Sequence, residues 1–177
     1  MITLPKAALV LLMGASGSGK STFAKRHFAR DDVVSSDQLR GLLSGDEGDQ
    51  QATEAAFGRL HQWLDARLAA GMLAVVDATN TDWLRRAALI RQAARHERPA
   101  IAIAFDLPLD LCLLRNAARP RRVRPAVVRR QREALRGDLD RLDLEGFSAV
   151  YVLRTEDEIE QVVVQTEGPV LPVPEPG

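Results

Sequence analysis

The sequence contains a single cysteine, Cys112, in 177 residues, which excludes an internal disulfide and a disulfide-stabilised fold. We therefore expect a reducing compartment and a cytoplasmic location. The three histidines, His27, His61 and His96, have no metal-ligand spacing, which argues against structural zinc. No apolar run is long enough to cross a bilayer and the N-terminus lacks a signal-peptide pattern, so no membrane partner is expected.

Lysine is also scarce, because 21 of the 24 basic residues are arginine. The formal net charge is zero, but the charges are unevenly distributed. From Arg115 to Arg136 nine arginines stand against one acid, whereas from Asp31 to Asp65 eight acids stand against two arginines. A solvated face accounts for part of each block. Arginine also binds phosphate oxygens in a forked geometry, so the basic block is a candidate anion-binding region.

The remaining composition is that of a globular domain, with 46% hydrophobic and 27% charged residues. Five apolar segments alternate with helical patterns, which predicts an α/β fold with a mainly parallel five-stranded sheet flanked by helices. The predicted strands are residues 7–13, 33–36, 73–77, 101–105 and 149–153. The predicted helices include residues 20–29, 53–70, a segment from Thr81 or Asp82 to His96, and residues 109–118.

The C-terminal residues have a different character from the rest of the chain. Four of the nine prolines lie in residues 168–177, without any periodicity. We therefore predict one domain over residues 1–166 and a proline-rich linker or tail over residues 167–177. Such a tail is typical of a module that continues into a longer protein, and a native C-terminus is the alternative.

A glycine-rich motif follows the first long apolar segment. The letters GASGSGKS, from Gly14 to Ser21, match the pattern G-x-x-x-x-G-K-[ST] in full. The glycines let consecutive backbone N–H groups face a phosphate, and the next helix presents its positive N-terminus to the same anion. A nucleoside triphosphate site is predicted, with Lys20 at the β and γ phosphates and Ser21 on Mg²⁺. The residues expected to bind the nucleotide here are Ser16, Gly17, Ser18, Gly19, Lys20, Ser21 and Thr22.

Polar residues follow the next two predicted strands. Asp37 and Arg40 share one face if Asp37 opens a helix. A carboxylate opposite a triphosphate can accept the proton of an attacking hydroxyl, and Arg40 can hold a second anionic group. Helix capping is the alternative role of Asp37. Asp77 follows the third strand and is the predicted Mg²⁺ carboxylate, with a turn or cap role as the alternative.

Arginines dominate the region after the fourth predicted strand. Arg115 and Arg119 lie four residues apart on a helix that should end before Pro120, and Arg122 follows it. Such an arrangement can close over a triphosphate as a lid and neutralise the charge that develops during transfer. A solvated face is favoured for the more distal arginines, Arg129, Arg130 and Arg132.

Together these segments resemble the polynucleotide 5′-kinase domain of bacterial Pnkp, an RNA end-healing and repair enzyme of the P-loop phosphotransferase superfamily. The resemblance runs from about residue 9 to about residue 163 and rests on GASGSGKSTFAKRHF, VSSDQLRGLLSGDEGDQ, AAFGRLH, AVVDATN and LLRNAARPRR. The phosphate loop alone matches many unrelated families. The joint order of S-S-D-x-x-R, D-A-T-N and R-N-x-x-R-x-x-R is far more specific.

The resemblance implies a P-loop kinase fold with an arginine-rich lid, and an enzyme of RNA or DNA repair. Such a kinase transfers the γ-phosphate of ATP or another NTP to the 5′-hydroxyl end of RNA or DNA, with Mg²⁺ or Mn²⁺. Family members continue into phosphatase and ligase modules, so such modules are expected in a longer native protein. The preference for RNA or DNA, the donor base and the oligomeric state stay open, and a homodimer is compatible with the sequence.

The resemblance also implies roles for individual residues. Lys20 would serve the donor phosphates, and Asp37 would be the general base on the 5′-hydroxyl. Arg40 would hold the phosphate on the 3′ side of the acceptor nucleotide. The lid residues that would clamp the donor are Arg115, Arg119 and Arg122, and Arg122 would also be catalytic. Prolines and further arginines crowd the segment after Arg119. The sequence therefore leaves open which of the arginines contact the donor.

Two other functions share the same donor site. A small-molecule kinase of the same superfamily would differ in its acceptor pocket, and its acceptor binding would respond little to salt if the acceptor were neutral. A nucleotide-dependent switch without an acceptor would not need Asp37 for turnover, and oligonucleotides would not change its ATPase activity.

Overall fold

The computed structural model describes residues 1–35 and 50–167. Its central sheet has five parallel strands, which confirms the predicted fold class. The strands of the chain are β1 (Ile2–Pro5), β2 (Leu9–Gly14), β3 (Val33–Ser35), β4 (Ala74–Asp77), β5 (Ala100–Phe105), β6 (Ala149–Leu153) and β7 (Val164–Glu167). The sheet order β3-β4-β2-β5-β6 places the strand before the glycine-rich motif at the centre.

Helices cover both faces of this sheet, as expected when the central strands are apolar at every position. The helices are α1 (Lys20–His27), α2 (Gln50–Ala69), α3 (Trp83–Arg95), α4 (Leu109–Ala117), α5 (Pro125–Asp138) and α6 (Glu156–Gln161). On one face Leu64 of α2 and Leu89 of α3 belong to a buried core that also includes Leu135 of α5. On the other face Phe23 of α1 is buried against Leu12 and Phe105.

The helix boundaries follow local chemistry. α1 ends at His27, two residues before its predicted end, because Phe28 adopts an extended conformation. Asp82 rather than Thr81 caps α3, since its side chain accepts from the backbone N–H groups of Leu84 and Arg85. Within the part of the chain that the structure describes, no helix combines the length and apolar character needed to span a bilayer.

A second sheet of two parallel strands, β1 and β7, was not predicted. Ile2 pairs with Val164, and backbone bonds at both ends close the pair, from Ile2 to Val163 and from Lys6 to Glu167. The sequence pattern for these two strands is weak, because β1 has four residues and includes a proline, while β7 is mostly exposed. β7 ends at Glu167, and the rest of the predicted tail lies outside the described residues.

Candidate active site

The glycine-rich motif forms the turn between the buried strand β2 and helix α1. Gly17 and Gly19 have φ angles of +85° and +96°, in the left-handed region that favours glycine. Lys20 is only 7% exposed, and its Nζ donates to the carbonyl oxygens of Gly14 and Ala15, each at 2.8 Å. The loop therefore holds a positive ammonium group against its own backbone, beside the N-terminus of a helix.

The loop packs directly on the backbone of helix α4. A Cβ atom at Gly17 would lie 2.2 Å from the carbonyl oxygen of Cys112. Cys112 is itself buried, and burial raises the pKa of its thiol, as expected for a cysteine that packs like a small apolar residue. The phosphate loop and the helix that carries Arg115 are therefore in close backbone contact at Gly17.

We expect Gly17→Ala to lower the thermal midpoint and to abolish nucleotide binding, because it combines overlap with a carbonyl oxygen and an unfavourable φ of +85°. Thermal unfolding with and without nucleotide measures both effects. Gly58→Ala is the matched control, since a Cβ atom at this position of α2 would have no heavy atom within 4 Å. That change should stabilise the protein by about 0.5–1 kcal/mol. Equal thermal midpoints for the two variants would contradict the close contact between Gly17 and the backbone of Cys112.

The D-A-T-N segment after β4 is bonded to the start of the phosphate loop. The carbonyl oxygen of Thr79 accepts from the N–H of Gly14 at 2.9 Å. Asn80, with φ +48°, donates from Nδ2 to Leu12 at 2.7 Å and to Val76 at 3.2 Å. Asn80 thus joins β2 to β4 at the edge where both strands end. Asn80 belongs to the D-A-T-N motif, but this role was not predicted from the sequence.

Asn80 is in turn held by Arg86, a fully buried arginine of α3 that sequence reasoning missed. Arg86 donates to the Asn80 carbonyl oxygen at 3.1 Å, to Glu145 Oε2 at 2.7 Å and to Asp138 Oδ2 at 2.8 Å. Burial acts to lower the pKa of Arg86, but the hydrogen bonds that it donates to Glu145 and then to Asp138 outweigh burial, so the pKa is raised. Helical periodicity is the sequence feature that could have identified Arg86 as buried, because Arg86 lies three residues before the buried Leu89 on the inner face of α3.

A cavity of about 840 Å³ lies along this edge of the sheet. Most of the predicted loop residues line it, namely Ser16, Gly17, Gly19, Lys20, Ser21 and Thr22. Ser18 is instead fully buried, and its Oγ lies 3.3 Å from Lys20 Nζ. Asp77 lines the same cavity and is 7% exposed. The structure therefore brings the predicted loop lysine, the loop serine and the strand-end carboxylate to one space.

Ser21 and Asp77 fit the Mg²⁺ ion that the phosphate-loop motif predicts. A hydroxyl and a carboxylate are hard oxygen ligands, and Mg²⁺ is commonly held by one or two protein oxygens together with substrate phosphates. Across residues 1–35 and 50–167 no group of three or more His, Cys, Asp or Glu side chains could form an all-protein metal cage. This donor set fits a metal that arrives with the nucleotide.

The predicted lid arginines take different positions. Arg115 and Arg119 line the cavity, and Arg115 is ion-paired with Glu156 of α6. Arg121 lines the cavity as well, whereas Arg122 is exposed and does not. The segment after α4 turns back, because the buried Asn116 side chain bonds both backbone groups of Val123. That turn, which sequence spacing could not reveal, sets the path of the segment in which Arg121 lines the cavity and Arg122 does not.

The two predicted acceptor residues, Asp37 and Arg40, lie outside the described residues, so their roles stay predictions. The described chain reaches Ser35, which pairs with Asp77 in the β3–β4 register. This pairing brings the chain, two residues before Asp37, to the same edge of the sheet as the cavity.

A second wall of the cavity comes from α2 and α3 and was not predicted. Phe57 and His61 of α2 line it together with Leu84 and Arg85 of α3. The Arg85 guanidinium carbon lies 4.2 Å from the centroid of the Phe57 ring. His61 accepts at its carbonyl oxygen from Gln92 Nε2 at 2.8 Å, which joins the two helices behind the wall.

Residues 9–142 match the model of the AAA domain family. No curated protein sequence matches the chain. Among solved structures, a chain of the Pnkp1/Rnl/Hen1 RNA repair complex is similar, with a TM-score of 0.69 and 20% identity over 81% of this chain and 48% of that chain. Another structure of the Pnkp1/Rnl/Hen1 complex matches at 25% identity, with a TM-score of 0.56 over 68% of this chain and 42% of that one.

A gluconokinase from Sinorhizobium meliloti 1021 is also similar, with a TM-score of 0.58 and 16% identity over 90% of this chain and 89% of that chain. The chain therefore spans about half the length of the chain from the RNA repair complex and most of the gluconokinase. These likenesses show a shared P-loop kinase fold.

Proposed function

The chain belongs to the AAA domain family, and we propose that it is a polynucleotide 5′-hydroxyl kinase of nucleic-acid repair. It transfers the γ-phosphate of ATP or another NTP to the 5′-hydroxyl end of RNA or DNA. One observation carries the proposal: a single cavity joins the phosphate loop and arginines to a second wall, formed by α2 and α3, that can receive another substrate. A switch without an acceptor has no need of that wall.

The donor half of the reaction uses residues that line the cavity. The loop N–H groups and Lys20 bind the β and γ phosphates, and Arg115 and Arg119 neutralise charge on the donor side. Because Arg121 lines the cavity, it joins these two as a donor contact, and Arg122 keeps its proposed role only if the lid moves on binding. Bound Mg²⁺ or Mn²⁺, held by Ser21 and Asp77, would offset phosphate charge.

The acceptor half rests on Asp37 and Arg40, from the sequence pattern. Asp37 accepts the proton of the 5′-hydroxyl as that oxygen bonds to the γ-phosphorus, while the bond from phosphorus to the β-bridging oxygen breaks and the nucleoside diphosphate leaves. Arg40 binds the phosphate on the 3′ side of the acceptor nucleotide. The approach of β3 to Asp77 supports a position for Asp37 near the donor.

The likeness to a chain of the RNA repair complex supports a setting in RNA repair. The resemblance of the motifs adds phosphatase and ligase modules as expected partners. The gluconokinase, which matches along nearly its whole length, supports a second candidate function, a small-molecule kinase. The order of motifs around Asp37, Asp77 and Arg115 favours the first. The salt dependence of acceptor binding distinguishes the two candidate functions, because binding through several phosphates weakens steeply with ionic strength.

We expect the protein to transfer label from γ-labelled ATP, with Mg²⁺, to a short oligonucleotide that ends in a 5′-hydroxyl. Asp37→Asn should lose this transfer by about 10²- to 10⁴-fold, because the amide cannot accept the proton, and should still bind nucleotide. Gel separation of the labelled strand and a nucleotide titration measure the two effects.

The same oligonucleotide with a 5′-phosphate is the control and should remain unlabelled. ATP consumption without label on any oligonucleotide would favour the small-molecule kinase or the switch. Full transfer by the Asp37→Asn protein would reduce Asp37 to a capping residue.

A further inference from the structure

The second wall of the cavity contains a cation and an aromatic ring in direct contact. Arg85 lies in the first turn of α3 and Phe57 faces it from α2, with the guanidinium carbon 4.2 Å from the ring centroid. Both residues line the cavity, and the Arg85 side chain is 54% exposed. We propose that the Arg85–Phe57 pair is a stacking platform for a nucleobase of the acceptor strand, an inference that rests on the proposed function.

The position of the pair fits the acceptor rather than the donor. Residues after β4 and residues after β5 lie on opposite sides of the phosphate loop, because β2 separates these strands in the sheet. Arg115 and the other lid arginines follow β5, whereas Arg85 follows β4. β3, the strand before Asp37, lies beyond β4 on this same side. The platform is therefore on the side from which the acceptor hydroxyl would approach.

Within the part of the chain that the structure describes, the contacts of Arg85 leave its planar group available. Its carboxylate neighbour there is Asp82, whose Oδ2 lies 3.6 Å from Arg85 Nε, beyond a good hydrogen bond. The Oδ1 atom of Asp82 is occupied in capping α3, at 2.9 Å from the N–H of Leu84. Arg85 is thus oriented by the ring below it more than by a fixed ion pair. One face of the guanidinium rests on Phe57, and the group retains exposed surface.

This chemistry selects a flat, aromatic ligand. Bases of single strands stack on arginine planes and aromatic rings whatever their sequence, and each such contact typically contributes about 1–3 kcal/mol. Leu84, 59% exposed, and Leu60 extend the wall with apolar surface. A sugar acid is bound through hydrogen bonds to its hydroxyl groups, and on this wall the polar side chains beside Phe57 and Leu84 are Arg85 and His61. Because the guanidinium plane of Arg85 and the apolar side chain of Leu84 are its exposed groups, the wall favours a flat nucleobase over a hydroxylated acceptor.

The test compares Arg85→Ala, Arg85→Lys and wild type in steady-state phosphorylation of a 5′-hydroxyl oligonucleotide. A set of strands with one abasic nucleotide, at the first, second or third position, locates the stacked base. We expect Arg85→Ala to raise the oligonucleotide KM roughly 5- to 50-fold, with the ATP KM unchanged. One abasic position should raise the wild-type KM by a similar factor and should have no further effect in Arg85→Ala.

Arg85→Lys separates stacking from charge, because lysine keeps the charge and loses the planar group. It should resemble Arg85→Ala, and a KM restored to wild type would overturn the platform in favour of a simple phosphate contact. Arg95→Ala is the matched control, since Arg95 is on the same helix, 70% exposed, and does not line the cavity. Its KM values should equal wild type.

Two negative results have different meanings. An abasic penalty of the same size in Arg85→Ala and wild type, at every position, would overturn the platform and leave the kinase function intact. Absence of transfer to any oligonucleotide by wild type would overturn the proposed function itself.

Discussion

Replacement of Arg86 by leucine should lower the free energy of unfolding by about 3 kcal/mol. Arg86 is fully buried, and its removal leaves Glu145, Asp138 and the Asn80 carbonyl oxygen without their shared donor. The lower end of the range for breaking a buried ion pair is appropriate, because the carboxylate side chains keep 17% (Glu145) and 30% (Asp138) of their surface exposed. Urea unfolding, followed by tryptophan fluorescence, measures the change.

Arg91→Leu is the control for this prediction, because Arg91 is exposed on the same helix. It should change stability by no more than about 0.5 kcal/mol. Similar midpoints for the two variants would mean that Arg86 contributes little net stability. The Arg86 variant should also bind nucleotide more weakly, since Asn80 joins the D-A-T-N segment to Leu12 next to the phosphate loop.

Lys20→Ala should lower kcat for phosphate transfer by roughly 10²- to 10³-fold, the second large effect we expect. The Lys20 ammonium group is held in the phosphate loop by the carbonyl oxygens of Gly14 and Ala15. When the γ-phosphoryl group is transferred, negative charge moves toward the β-bridging oxygen, and a fixed positive charge there stabilises the transition state. Label transfer at saturating ATP measures kcat, and thermal unfolding shows whether the fold is intact.

Lys25→Ala provides the comparison, since Lys25 is an exposed lysine of the same helix. It should leave kcat unchanged. If Lys20→Ala retained a kcat close to that of the Lys25 variant, Lys20 would not act on the transferred phosphate. If instead its thermal midpoint fell sharply, the loss of activity would be structural.

Features encoded by adjacent residues were the ones that the sequence could predict. The phosphate loop follows from one strand, a run of glycines and one lysine, and the structure has the predicted strand, turn and helix around Lys20. The order of apolar segments likewise predicted the parallel sheet, because strands that are buried on both faces are continuously apolar.

Features that depend on contacts between distant residues were not predictable. An arginine in a helix is ordinarily expected to be exposed, so the residue type gave no sign that Arg86 is buried. Its partners Asp138 and Glu145 lie more than fifty positions away in the sequence. The path of the segment that contains Arg121 and Arg122 depends on the turn closed by Asn116. The pairing of β1 with β7 joins residues from opposite ends of the described chain, where neither strand has a strong pattern of its own.

That pairing determines how the domain would respond to mechanical load. β1 and β7 are parallel, so a pull on the start of β1 and on the end of β7 draws the strands past each other along their length. The backbone hydrogen bonds between them, including those at Ile2 and Lys6, are then loaded together rather than opened one after another. The β1–β7 pair would therefore act as a shear clamp, which protects the phosphate loop from tension transmitted through either end of the domain.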